Sequence, residues 1–312
     1  MFGKILAATV SPLECDACVL TAGRIAQNNN AKLFILHVLE SDSSIYRNDF
    51  RHNKISGEIV GGETYPKKVK EEIEKKCKED LAPLDKFDIR ISIGSPWREV
   101  IKCAREERVD LIILGAHARK GGQEEQGRDV ETVGGTADGV IRHERCPVMI
   151  AGKPIAESSV AFKKVMVAID FSPSCISAFR FAADLAQNRG SKLYLFHMTP
   201  TPPQPEYTQS QYKADINRIQ QRLKEEFLRE ISDTIEAEID TWGGAHPHIE
   251  ILKHARRSDV DLIVMGSHTK IKGKPQESRW YVGSAVERVS ARSECPVVVI
   301  TDPKVLEKFR FD

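Results

Sequence analysis

The chain has 312 residues, a formal net charge of +1 and 41% hydrophobic residues. That length suffices for two domains with separate cores. The near-neutral balance offers no polyanion-binding surface, so no nucleic-acid partner is expected, and no apolar run approaches the roughly 18–20 residues of a membrane span.

Seven cysteines, an odd count in a long chain, argue against a disulfide scaffold. The start, Met1-Phe2-Gly3-Lys4-Ile5-Leu6, lacks a basic segment followed by a long apolar core. A cytoplasmic protein is therefore expected.

In chain order, short apolar runs predict strands near residues 3–9, 32–39, 87–93, 110–115 and 147–151. The first turn of the helix after the first strand carries Cys15-Asp16-Ala17-Cys18. Lys67 to Asp80 reads as a solvated helix whose apolar side is Val69, Ile73 and Cys77. Pro154, Ser158 and Ser159 mark a linker at 154–161.

Beyond it, Lys164–Asp170 is a buried-strand run. Ser172-Pro173 caps a helix that runs to about Asn188 and stops near Gly190. Leu193–Met198 is the next strand, and Pro200 to Pro205 must be loop. Ile216, Ile219, Leu223, Phe227 and Ile231 form an apolar stripe that predicts a helix over Tyr212–Ile235. A weak strand at Ala237–Thr241 and a helix at Ile249–Arg257 follow. A strong strand at Asp261–Gly266, a helix at Gly283–Arg292 and a last strand at Pro296–Thr301 complete the order.

Strands of near-continuous apolar character separated by helices predict doubly wound parallel sheets. The pattern also occurs twice. Asp110-Leu111-Ile112-Ile113-Leu114-Gly115-Ala116-His117 returns as Asp261-Leu262-Ile263-Val264-Met265-Gly266-Ser267-His268. Cys146-Pro147-Val148 returns as Cys295-Pro296-Val297, and Ser11-Pro12 as Ser172-Pro173. Two copies of one domain are predicted: residues 1–153 and 162–303, with a tail at 304–312. Each is an α/β domain with five parallel strands.

In such a sheet ligands bind at the carboxyl ends of the strands, where strand order reverses. A glycine there admits a ligand to the backbone, and a Gly-Ser pair opening a helix presents N–H groups and a hydroxyl to an anion. Gly266 and Gly283-Ser284 are so placed.

The chain resembles a tandem universal stress protein over nearly its whole length. The marks are Ala168-Ile169-Asp170-Phe171-Ser172, the Leu-x-Leu-x-His strand, the Asp261–His268 run, Gly283-Ser284-Ala285 and Cys295-Pro296-Val297-Val298-Val299. The resemblance implies an adenine nucleotide alpha hydrolase-like, Rossmann-like fold. It also implies a stress-linked sensor or regulator that binds ATP or AMP, with Mg2+ if ATP is bound, and is not a rapid enzyme. Asp170 would lie near the adenosine and Met198 would flank the base. Gly266, His268, Thr269, Gly283 and Ser284 would line the ribose and phosphates. Single-domain members pair, so an intrachain pseudo-dimer is expected, with a further homodimer and an unidentified protein partner open. A scaffold that binds no nucleotide and a slow ATPase or self-phosphorylating protein using Ser284 or Ser267 are the rival readings.

ATP-binding members carry Gly-x2-Gly-x9-Gly-Ser/Thr after the fourth strand. Here Thr269 replaces the second glycine, and thirteen residues, including the basic Lys270–Lys274 stretch, separate it from Gly283. The first copy departs further. Thr9 replaces the strand-end Asp, Ala118 the second glycine and Gly135 the serine, although Gly115, Gly134 and Thr136 remain. The first copy is therefore expected to be the structural half.

Cys15 and Cys18 have the spacing of a redox or zinc half-site, but no partner pair is evident, and buried thiols are the simpler reading. His37 and His197 hold equivalent places in the second strand of each copy and read as core residues. His246-Pro247-His248, with His254 nearby, reads as a solvated loop rather than a zinc site. His117 and His268 flank any bound nucleotide, yet no nucleophile or triad spacing accompanies them.

Overall fold

A computed structural model describes residues 2–10, 16–40, 50–52, 59–61, 64–81, 84, 87–116, 133–200, 208–267 and 282–301. The chain divides into two units, one built on residues 2–128 and 134–157, the other on 158–312.

The first unit contains β1 (Lys4–Thr9), α1 (Ala17–Asn29), β2 (Lys32–Glu40), β3 (Phe50–His52), β4 (Ile59–Gly61) and α2 (Thr64–Asp80). It continues with β5 (Phe87–Gly94), α3 (Pro96–Glu107), β6 (Leu111–Leu114), α4 (Gly135–His143) and β7 (Val148–Ile150). Five of its strands form a parallel sheet in the order β7-β6-β1-β2-β5. The remaining two, β3 and β4, pair antiparallel. This hairpin between β2 and α2 was not expected from the sequence.

The second unit contains β8 (Lys164–Ala168), α5 (Pro173–Arg189), β9 (Lys192–Pro200), α6 (Gln209–Glu226) and β10 (Ala237–Gly244). After these come α7 (Pro247–Ser258), β11 (Leu262–Gly266), α8 (Ser284–Arg292) and β12 (Val297–Ile300). Its sheet is parallel throughout, in the order β10-β9-β8-β11-β12. In both units the order reverses beside the first strand, between β1 and β6 and between β8 and β11.

Helices cover both faces of each sheet, so the central strands have no polar side. Every residue of β6 and the first four of β11 are buried, and each fully buried Leu, Ile or Val contributes about 1.5–3 kcal/mol. The aspartate that opens the repeated motif has a structural task. Asp110 Oδ2 accepts the amides of Gly3 and Lys4 at 2.8 and 2.9 Å. Asp261 Oδ2 accepts that of Lys164 at 3.0 Å. Each carboxylate thus fixes the start of the first strand against the fourth.

Ser172 is the N-cap of α5, its side chain accepting from the Cys175 amide, with Pro173 in the first turn. Gly190, at φ 64°, ends the helix. The linker segment is anchored in the first unit. Ile155 is buried, donates its amide to Thr21 Oγ1 at 3.1 Å and accepts at its carbonyl from the Arg24 guanidinium.

Two helices differ from the sequence reading. Helix α6 begins at Gln209 behind a Thr208/Gln211 capping box and ends at Glu226, followed by a 3-10 turn, Leu228–Glu230. Its predicted apolar stripe is buried only at Leu223 and Phe227; Ile216, Ile219 and Ile231 are half-exposed. Pro247 opens α7, so the His246–His248 stretch is a helix start and not a solvated loop. His248 and His254 are both buried.

Candidate functional site

The strand carboxyl ends of the second unit bring together Asp170, Phe171, Ser172 and His197. Past β8, the Ile169 amide donates to the Phe196 carbonyl at 2.8 Å, extending the ladder by one residue. The chain then turns sharply: Phe171 has φ 60°, a left-handed conformation that is uncommon for a bulky side chain. The turn lets Asp170 Oδ1 accept the Ser172 amide at 2.9 Å, while Asp170 itself stays exposed.

Aromatic and cationic partners hold the Phe171 ring. The Arg222 guanidinium of α6 lies 3.7 Å from its centroid; His197 and Phe227 lie 5.0 and 5.9 Å away.

His197 Nδ1 is 2.8 Å from the Ile169 carbonyl, and in the first unit His37 Nδ1 is 3.1 Å from the Thr9 carbonyl. A carbonyl only accepts, so Nδ1 carries the proton in both rings. Burial holds both imidazoles below the ordinary 6.5, against the opposing pull of these carbonyls. They are neutral near pH 7 and tie the second strand to the end of the first, in keeping with the core-residue reading.

Met198 lies on the other face of β9 from His197 by strand alternation, and its sulfur sits 3.2 Å from where a Cβ on Gly244 of β10 would lie. Gly266 has a packing reason to be glycine. A Cβ there would stand 2.6 Å from the Cys175 nitrogen and the Ser174 carbonyl carbon at the start of α5.

The fourth-strand side of the site is built identically in both units. The Gly283 amide donates to the Ser267 carbonyl at 3.0 Å, and the Gly134 amide to the Ala116 carbonyl at 2.9 Å. Each bond pins a helix start beside a strand end. Gly283 and Gly134 are the N-caps of α8 and α4, and neither helix has a side-chain cap. With glycine at its N-cap, α8 has no N-cap side chain over its first-turn amides, and Ser284 is exposed beside them. Gly135 and Thr136 hold the corresponding place in the first unit, and Gly115 follows β6 directly. His268, Thr269, the Lys270–Tyr281 stretch, His117, Ala118 and Cys15 lie outside the described residues.

At the end of β1 the first unit differs, and the register corrects the sequence alignment: Thr9 stands where Ile169 does and Val10, not Thr9, takes the place of Asp170. Thr9, buried, donates its hydroxyl to Asp16 Oδ2 at 2.6 Å. The Val10 amide donates to the same oxygen at 2.9 Å. Asp16, Phe171 and Arg222 were not singled out from the sequence. For Asp16 the available signal was an acidic residue at a helix start; for Arg222 none exists in the local pattern.

The six described cysteines are buried or half-buried thiols. Cys18 donates to the Ala8 carbonyl at 3.3 Å, and burial, with Asp16 adding to it, pushes it up to about 12. Burial likewise raises Cys175 to about 12, and Cys146 and Cys295 are pushed up by the same cause. Burial thus disfavours a thiolate at Cys18.

Ser258, His254 and Asp240 form a Ser-His-Asp series at 3.4 and 3.1 Å. His254 is 1% exposed and stacks on Trp242 at 5.3 Å, so no substrate reaches it, and the series fastens α7 to β10. Among the described residues no group of three or more His, Cys, Asp or Glu is arranged to hold a metal ion. Nor is any described helix long and apolar enough to cross a membrane.

Two parallel α/β sheets, each with its strand order reversing beside its first strand, define a pair of Rossmann-like domains. Residues 1–152 and 161–301 each match the model of the universal stress protein family, and the chain belongs to that family. A universal stress protein of Methanocaldococcus jannaschii is 27% identical over 151 residues, covering 46% of this chain and 84% of that protein. One from Bacillus subtilis is 28% identical over 150 residues, covering 45% and 99%. The crystal structure of a universal stress protein from Archaeoglobus fulgidus superposes with a TM-score of 0.60 at 19% identity, over 96% of each chain. That likeness speaks for the fold.

Proposed function

We propose that the chain is a stress-response protein that binds an adenine nucleotide, ATP or AMP, mainly in its second unit, and acts as a sensor or regulator. One observation carries the reading. At the switch point of the second sheet, an exposed carboxylate, Asp170, stands at the end of β8. The neighbouring strand β11 leads to an α8 N-terminus that lacks a side-chain cap and begins with Ser284. A carboxylate suits a ribose diol, and uncapped helix amides with a hydroxyl suit phosphate oxygens. A nucleotide carries both.

The first unit keeps the helix-start geometry but spends its strand-end hydroxyl on Asp16, which supports assigning the binding to the second. Mass spectrometry of small molecules released from purified, denatured protein tests the reading. Adenine nucleotide should be recovered, or should bind on titration. A blank combined with no uptake of added ATP or AMP would defeat it and favour a scaffold that recognises another protein.

A further inference from the structure

We propose that Asp16 is a built-in occupant of the first unit's ligand corner, so that this unit is a closed nucleotide site rather than a lost one. The inference rests on the nucleotide reading of the second unit.

Asp16 is the N-cap residue of α1, yet its side chain caps no amide of that helix. An aspartate in this position ordinarily accepts from the second or third helical amide. Here the carboxylate turns back to the strand. One oxygen, Oδ2, takes both the Thr9 hydroxyl at 2.6 Å and the Val10 amide at 2.9 Å. Two donors that converge on one point at a strand carboxyl end, beside the switch position, form a receptor for an acceptor oxygen. The protein fills it with its own.

The second unit has no such pair of donors: by strand register Ile169 and Asp170 stand where Thr9 and Val10 do. Ser172 caps α5, and the strand-end carboxylate of Asp170 stands exposed. Two parts of the frame are common to both units. A histidine Nδ1 meets the carbonyl at the end of the first strand or one residue beyond it. A glycine amide is pinned to the residue after the fourth strand, and the helix that follows has no side-chain cap. Besides lacking the strand-end carboxylate and the serine of the Gly-Ser pair, the first unit differs in that its own carboxylate occupies the corner. A ribose or phosphate oxygen that is to meet Thr9 and Val10 must first displace Asp16.

Calorimetric titration of the full chain with ATP tests this, with circular dichroism to confirm folding. The wild type should take one equivalent per chain and Asp16→Ala two. Asp16→Ser, whose shorter side chain can cap α1 without reaching back, should behave as Asp16→Ala and stands in for it if alanine impairs folding. Asp16→Asn retains an oxygen for both donors and should stay at the wild-type value. Equal stoichiometry in wild type and the folded Ala or Ser variant would overturn the proposal. So would Asn opening the site as fully as Ala, since charge and not occupancy would then be the barrier. Failure of the second-unit reading looks different: the wild type then binds nothing, and a gain from none to one on Asp16→Ala still supports the closed corner.

Discussion

At the residue scale, several positions are decided by close contacts. Gly266 is fixed by the backbone of α5, because an added methyl would lie 2.6 Å from main-chain atoms that cannot move aside independently. Gly266→Ala should destabilise the second unit by about 1–3 kcal/mol, read as a lower urea midpoint. An unchanged midpoint would show that α5 yields without cost. Ser290 presents the opposite case. It is 3% exposed, and its hydroxyl has no hydrogen-bond partner among the described residues. The matching position of α4, also seven residues past the N-cap glycine, is the buried Ile141. Ser290→Ala removes an unsatisfied buried group and improves helix propensity, so stability should rise by about 1 kcal/mol. A loss in the same denaturation experiment would mean the hydroxyl is satisfied in solution.

At the scale of elements, Ser172 shows what one cap does. Its hydroxyl oxygen accepts the Cys175 amide at 3.2 Å, and Ser172→Ala should cost about 1 kcal/mol, measured by urea unfolding. If the variant is as stable as the wild type, the Ser-Pro start of α5 owes its stability to packing alone. This helix was legible in the sequence because its boundaries are chemical: Ser172-Pro173 at one end and Gly190 at the other. The core strands were legible as well, since β-branched runs such as Val297-Val298-Val299 are buried on both faces.

The end of α6 was not legible. The three-and-four spacing continues through Phe227 and Ile231, but Phe227 leaves the helix at φ −119°, and periodicity does not register the break. The start of α6 did carry a signal, the Thr208-x-x-Gln211 capping box. The β3–β4 hairpin consists of three-residue strands, too short to show alternation. His248 and His254 looked polar in sequence. Tertiary contacts bury them, with His254 between Phe196 and Trp242 and bonded to Asp240. The candidate site was readable where it follows strand ends, at Asp170 and Gly283-Ser284. It was unreadable where it depends on folding back, as when Asp16 reaches Thr9 or Arg222 covers Phe171.

At the scale of the whole molecule, the buried imidazoles set an acid limit. Burial holds His37, His197 and His254 below 6.5. Unfolding frees each ring to take up a proton at its ordinary value, so at acid pH the unfolded chain binds more protons than the folded one. Their contribution is complete above about pH 6.5 and declines as pH falls toward the lowered folded values. The urea midpoint should therefore drop between pH 7.5 and pH 5; a midpoint that rose would mean that the charged rings are stabilised in the fold.

The central claim is that the second unit holds an adenine nucleotide through Asp170 and the start of α8. Its most direct test is calorimetric titration of the full chain with ATP, comparing wild type, Asp170→Ala and Ser284→Ala. Each variant removes a hydrogen bond to a charged group, a loss of about 1.5–3 kcal/mol, so affinity should fall about tenfold or more with folding intact. Binding that is equally tight in all three proteins would contradict the account.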